Sequence, residues 1–134
     1  MPRHSHLINL IYSLTAAGPD HWFDPDQLVV GNFGLSPEQE RAQMAIWCLW
    51  SAPLYMSNDL RQISADSANL LKNKHLISIN QDPMGVWGLM VKQSDGGQLQ
   101  AFVKPVRPII NGCPSFFVVY LNRNTLGNKV KVSR

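Results

Sequence analysis

His21-Trp22-Phe23-Asp24-Pro25-Asp26-Gln27-Leu28-Val29-Val30-Gly31-Asn32 sets an aromatic pair and two carboxylates around a proline, then enters a short apolar run. Pro25 lacks a backbone donor, fixes its own φ and pushes Asp24 toward extended backbone, so Asp-Pro-Asp is a stiff corner and not a ladder position. Leu28-Val29-Val30 reads as a buried strand, ended by Gly31-Asn32. Two readings of the acids stand side by side. Next to Trp22 they could hold a polar ring against an aromatic face. Equally, Asp24 and Asp26 are residues that cap turns around a proline.

Downstream of the corner, Ser36 is a good N-cap, Pro37 suits the first helical position and Gln39 completes a Ser-x-x-Gln capping box. Ala42, Ala45, Ile46 and Leu49 fall at i, i+3, i+4 and i+7, which predicts one apolar face. Met44, Trp47, Cys48 and Trp50 widen it, so this helix is expected to be buried on most sides until Pro53 ends it. Pro53-Leu54-Tyr55-Met56-Ser57 is a short strand candidate. A second helix is expected from Ser64 through Leu70-Leu71, with Lys72 and Lys74 complementing its negative end and His75 following it. Ile77-Ser78-Ile79 is ambiguous, and Asn80-Gln81-Asp82-Pro83-Met84-Gly85 is a breaker cluster marking a domain boundary.

Beyond that cluster the hydrophobic period changes to two. Trp87–Lys92 and Gln98–Val103 flank Ser94-Asp95-Gly96-Gly97 as a β-hairpin, and Phe116–Leu121 and Val130–Val132 are further strand candidates. Alternating strands and helices followed by strands alone predict α/β plus all-β, with residues 1–83 and 84–134 as the two parts. Upstream of the corner, Leu7, Ile8, Leu10, Ile11 and Leu14 have helical spacing, and Gly18-Pro19-Asp20 breaks the run. Residues 1–17 have the outline of a secretory signal, but Asn9, Tyr12 and Ser13 dilute its apolar part. An ordinary buried segment is the expectation there.

Composition excludes several classes. With 134 residues, 45% apolar and 16% charged, the chain reads as globular. A net charge of +3 with scattered Lys and Arg gives no nucleic-acid footprint. No stretch approaches the ~18–20 apolar residues that span a bilayer. Two cysteines make no framework: Cys48 is expected as a buried thiol in a helix and Cys113 as a loop residue. His4 and His6 lack a nearby carboxylate or cysteine, and Pro25 stiffens the acids beside His21, so no metal set is assigned. Ser36, Ser57 and Ser64 lack the glycines of a nucleophile elbow. No glycine-rich phosphate loop is present.

Ala17-Gly18-Pro19, Trp22, Asp24-Pro25-Asp26, Gly31-Asn32-Phe33-Gly34-Leu35-Ser36, Gln43-Met44-Ala45, Ala52-Pro53-Leu54, Met56-Ser57-Asn58-Asp59-Leu60-Arg61 and Ile79-Asn80-Gln81-Asp82-Pro83 together resemble the retaining α-galactosidases and α-N-acetylgalactosaminidases of glycoside hydrolase family 27. The agreement is in type and spacing over roughly 65 residues without a gap, and Val118–Arg123 is similar, more loosely, to a strand of that family's C-terminal domain. The resemblance implies a (β/α)8 barrel followed by an antiparallel β-sandwich. Residues 28–71 would then be the last two βα units, and Trp87 to Arg134 would open the sandwich. Retaining hydrolysis needs two carboxyl groups ~5–5.5 Å apart. In the family both are aspartates on earlier barrel strands, so the resemblance implies no catalytic residue here and an isolated chain without activity.

By the same resemblance Asp26 lines the sugar pocket, Trp22 and Asp24 shape and support its loop, and Gln27 stands where a methionine is usual. Asp20 and Phe23 likewise replace the usual glycine and asparagine. No cofactor is implied. The substrate would carry terminal α-linked galactose or N-acetylgalactosamine, and the intact relative would be a lysosomal or secreted homodimer. Two other readings accompany this one: an inactive carbohydrate-binding or regulatory fragment, or a truncated gene product without function.

Overall fold

The computed structural model describes residues 17–124. The Leu7–Leu14 helix, the Val130–Val132 strand, the residue 1–17 signal outline and the His4/His6 pair lie outside the described residues. The elements in chain order are α1 (Pro37–Leu49), α2 (Ala65–Leu71), α3 (Lys74–Asn80), β1 (Leu89–Gln93), β2 (Leu99–Ile110) and β3 (Cys113–Asn122). Helices therefore precede strands, and both an α/β part and an antiparallel sheet are present.

The α/β part rests on one parallel link. Leu28 N–H donates to Tyr55 O at 2.7 Å and Ser57 N–H donates to Leu28 O at 2.8 Å, which pairs Leu28 with Met56 in parallel across α1. The two extended segments are thus short, as the proline and glycine around them dictate. Side chains continue the pairing at their C-terminal ends. Asn58 Nδ2 donates to Val30 O at 2.7 Å, and Asn32 Nδ2 donates to Ser57 O.

The capping box of α1 forms as expected, with Ser36 Oγ accepting from Gln39 N–H and Gln39 Oε1 accepting from Ser36 N–H at 2.8 Å. The buried stripe, however, is not the one the spacing suggested. Glu40, Met44, Cys48 and Leu49 are buried, while Ala42, Ala45 and Ile46 are only half-buried. The reason is a polar anchor at the head of the stripe: Glu40 accepts from Gly31 N–H at 2.9 Å and from Ser67 Oγ at 2.7 Å. A carboxylate satisfied in this way turns the helix toward α2, and Met44 and Cys48 follow it into a cluster with Leu28 and Val30.

The structure settles one reading left open and corrects two others. Ile77–Ile79 is helical, within α3, because Asn73 caps it by accepting from His75 and Leu76 N–H. Lys74 and His75 consequently open a helix and do not close one. Cys113 begins β3 and is exposed, whereas Cys48 is buried and its thiol is pushed up to about 12 by burial.

The sheet has order β1-β2-β3, antiparallel throughout. The first hairpin turns at Asp95–Gly97 as expected, but β2 runs on to Ile110 and meets β3 through Asn111-Gly112, both at positive φ. Asn-Gly is a strong two-residue hairpin signal. The prolines at 105 and 108 hid it, since proline inside a run argues against a strand; a register shift between Val106 and Ile109 accommodates them.

Sheet and helices meet at Lys104, whose side chain is fully buried. Its ammonium donates to Cys48 O (2.9 Å), Ser51 Oγ (2.7 Å) and Ile79 O (2.6 Å). Cys48 and Ile79 lie in the last turns of α1 and α3, where carbonyls lack helical partners and the dipoles are negative. Asn80 Nδ2 closes the same region by donating to Trp47 O and Ala52 O. Gly88 N–H donates to Leu49 O at 2.7 Å, and a Cβ at Gly88 would collide with the Leu49 side chain, so only glycine allows this approach.

Candidate functional site

The corner is held from both sides. Upstream, Gly18 and His21 exchange two backbone hydrogen bonds around Pro19-Asp20, with Asp20 at φ +70°. That is the left-handed conformation a glycine adopts most easily, and an aspartate tolerates it better than most residues. Trp22 is 40% exposed and its ring edge lies against Gly85, where a Cβ would come 3.3 Å from it and 2.8 Å from Pro19. Phe23 packs on Trp87 with ring centroids 4.8 Å apart, so the two parts of the chain also meet here.

Asp24 Oδ1 accepts from Asp26 N–H at 3.0 Å, closing a turn over Pro25. Asp26 has φ +79°, and its own Oδ1 accepts from Gln27 N–H at 2.8 Å. Two side chains of α1 fix the backbone beneath. Trp47 Nε1 donates to Asp26 O at 3.2 Å. Gln43 bridges the strand edge, donating to Gln27 O at 3.3 Å and accepting from Val29 N–H at 3.1 Å. Its amide occupies the place of a neighbouring strand, which gives a polar side chain a role on the helix face toward the corner.

The structure thus brings Trp22, Asp24, Asp26 and Gln27 onto one short segment, with the acids and Gln27 exposed. Of the two roles weighed for the aspartates, turn capping is the one seen: each uses one carboxylate oxygen on a neighbouring backbone N–H. Gln43, Trp47 and Trp87 were not singled out for the site from the sequence, because at those positions amides and aromatics read equally well as helix core or hairpin. The corner enters the Leu28–Val30 segment from its N-terminal side. At the other end a cleft of about 560 Å³ is lined by Asn32, Met56, Ser57, Asn58, Asp59 and Arg61. There Arg61 grips Asp59 through Nε (2.8 Å) and Nη2 (2.7 Å), which holds the carboxyl below its usual range.

Among the described residues no group of three or more His, Cys, Asp or Glu could hold a metal ion, and no helix is long and apolar enough to cross a membrane.

The family model for α-galactosidase A matches residues 7–82. The chain belongs to the α-galactosidase A family. Its relatives include the α-N-acetylgalactosaminidase of Gallus gallus, 50% identical over 90 residues, which is 67% of this chain and 22% of that protein. The α-galactosidase A of Homo sapiens is 44% identical over 111 residues, or 83% of this chain and 24% of the relative. Among solved structures, α-galactosidase I from Mortierella vinacea superposes with a TM-score of 0.67 at 29% identity, covering 75% of this chain and 24% of that one. The Saccharomyces cerevisiae α-galactosidase gives 0.61 at 28%, covering 67% and 22%. The chain therefore spans about a quarter of the length of the α-galactosidase A family members it matches.

Proposed function

We propose that this chain is part of a retaining glycosidase that removes terminal α-linked galactose or N-acetylgalactosamine, and that it supplies one wall of the sugar pocket. In this reading residues 1–83 are the C-terminal part of a (β/α)8 barrel domain, with the last two βα units within residues 28–71, and residues 84–134 begin an antiparallel β-sandwich. The parallel Leu28–Met56 link across α1 supports the first part, and the β1-β2-β3 sheet supports the second.

The observation that carries the reading is the state of Asp26 within the family-matched stretch. A non-glycine residue at φ +79° is uncommon and persists where its surroundings over-determine it, as happens at ligand sites. Here Asp24 holds its N–H and Trp47 holds its carbonyl. The carboxylate is consequently aimed by fixed backbone, and its second oxygen is suited to accept charge-assisted hydrogen bonds from ring hydroxyls. Trp22 offers an amphipathic face for the apolar side of the pyranose. Asp24 positions Asp26, and Gln27 adds an amide to the wall.

These roles are orientation of substrate, which lowers the barrier without breaking a bond. The nucleophile and the acid belong to earlier barrel strands in this reading, so the chain by itself is inactive. No cofactor takes part. The intact enzyme is a homodimer in the lysosome or outside the cell.

The test has two arms. With a nitrophenyl α-galactoside the purified 134-residue chain is expected to give no release above the buffer blank. Clear turnover abolished by Asp26→Ala would overturn the assignment of the acids. By titration calorimetry, galactose or N-acetylgalactosamine is expected to bind weakly and to lose at least roughly fivefold in affinity with Asp26→Ala. Equal binding by both proteins would remove Asp26 from the pocket.

A further inference from the structure

Residues 82–88 join the two parts of the chain, and this joint is pinned at both ends. Asp82 is buried; its Oδ1 accepts from Met84 N–H at 3.0 Å and its Oδ2 from Arg107 N–H of β2 at 2.8 Å. Gly85 N–H donates to Asp82 O at 3.0 Å, closing a tight turn. At the far end Gly88 N–H reaches Leu49 O of α1, the helix whose Trp47 indole also holds Asp26 O. Linkers between domains are ordinarily mobile, but backbone tied in this way to β2, to α1 and to itself is a rigid piece.

Between its pins the joint faces the corner. Gly85, at φ +62°, lies so close to Pro19 and to the Trp22 ring that a Cβ would come 2.8 Å and 3.3 Å from them. Two residues on, the Trp87 ring packs on Phe23 with centroids 4.8 Å apart and planes tilted by 46°. Trp87 Nε1 is buried with no hydrogen-bond partner among the described residues, so the contact uses the ring and not the N–H. Trp22 and Phe23 therefore rest on supports from outside the corner, while Asp24 and Asp26 are tied within it and to α1.

We propose that Gly85 and Trp87 are positioning residues for the sugar-binding wall: the joint is its floor, and through it the β part sets the angle of the Trp22 face. The inference rests on the pocket reading of Asp26 and Trp22. An aromatic face serves a pyranose best when its plane is already fixed, since ordering a loose ring at the moment of binding subtracts from affinity. Any side chain at 85 would push on Pro19 and Trp22 from a backbone conformation that itself favours glycine. Trp87 supplies a flat apolar support for Phe23.

Calorimetric titration of the 134-residue chain with galactose tests it, each variant being checked by far-UV circular dichroism and read below its thermal transition. Trp87→Leu is expected to weaken binding at least roughly threefold. Trp87→Phe, which keeps a ring on Phe23, is expected to restore it to within about a factor of two. Gly85→Ala should weaken binding as Trp87→Leu does and shift the Trp22 indole resonance, identified as the one lost in Trp22→Phe. That shift is read without sugar, so it stands where a variant binds too weakly to titrate. Val119→Ala, which loosens the buried side of the sheet away from the corner, should lower the melting temperature and leave affinity unchanged. If Asp26→Ala weakens binding while Trp87→Leu and Gly85→Ala do not, this inference falls and the pocket reading stands. No binding by the wild-type chain, or binding indifferent to Asp26→Ala, would remove the pocket reading and this inference with it. Equal weakening by Val119→Ala, no rescue in Trp87→Phe, or an unmoved Trp22 resonance in Gly85→Ala would each overturn the positioning role.

Discussion

The two faces of the β1-β2-β3 sheet invert the usual distribution of side chains. On the inner face a lysine is the largest fully buried residue, and on the outer face Phe116, Val118 and Tyr120 stand in water. Polarity did not decide this; what lies opposite did. The inner face meets the C-terminal ends of two helices, where carbonyl oxygens require donors that no apolar side chain supplies. Lys104 satisfies two of them and Ser51 with a single ammonium. The outer face meets nothing among the described residues.

The inner face should therefore fail through its polar groups. Lys104→Ala, which leaves two carbonyls and a hydroxyl without their donor and opens a void, is expected to cost about 3–5 kcal/mol in urea unfolding. Lys104→Met keeps the volume and removes only the hydrogen bonds, so most of the loss should remain; a loss near zero in Lys104→Met would mean that packing, not the hydrogen bonds, holds the sheet in place.

Acid–base behaviour sharpens the same contrast. Burial pushes Lys104 down to about 8, partly offset by Cys48 and Asp82. Between about pH 8 and 10.4 the unfolded chain then binds more protons than the folded one, so this group makes folding more favourable as pH rises through that window. The gain is on the order of 2–3 kcal/mol and should vanish in Lys104→Met. A wild-type stability profile that falls across the window in parallel with the variant's would contradict the burial of a charged Lys104.

Asn80→Ala removes the donor shared by Trp47 O and Ala52 O and is expected to cost about 1–3 kcal/mol, read from the urea midpoint at unchanged slope. On the outer face, Val118→Thr should shift stability by no more than about 0.5 kcal/mol. A larger loss there would show that Val118 is already covered.

The corner, the capped helix α1, the start of α2 and the first hairpin were legible in the sequence because each is a local rule. Proline fixes a dihedral, serine caps a helix, and paired glycines turn a chain. Asp20 illustrates the limit of such reading. Its substitution for glycine is visible in the sequence, but that the position needs a left-handed backbone is visible only in the turn between Gly18 and His21. The face of α1 was misread for a related reason. Helical periodicity ranks residues by polarity, and it could not anticipate that Glu40 would be buried by bonds to Gly31 and Ser67, from segments on either side of it.

Family membership, the order of helices before strands, and the stiffness of Asp24-Pro25-Asp26 follow from residues adjacent in the chain. The role of Lys104 does not, because its three partners are 25 to 56 residues away. A side chain's environment is set by which distant segments close around it, and a charge can be the right core residue wherever two helix ends converge. That convergence belongs to the tertiary structure alone.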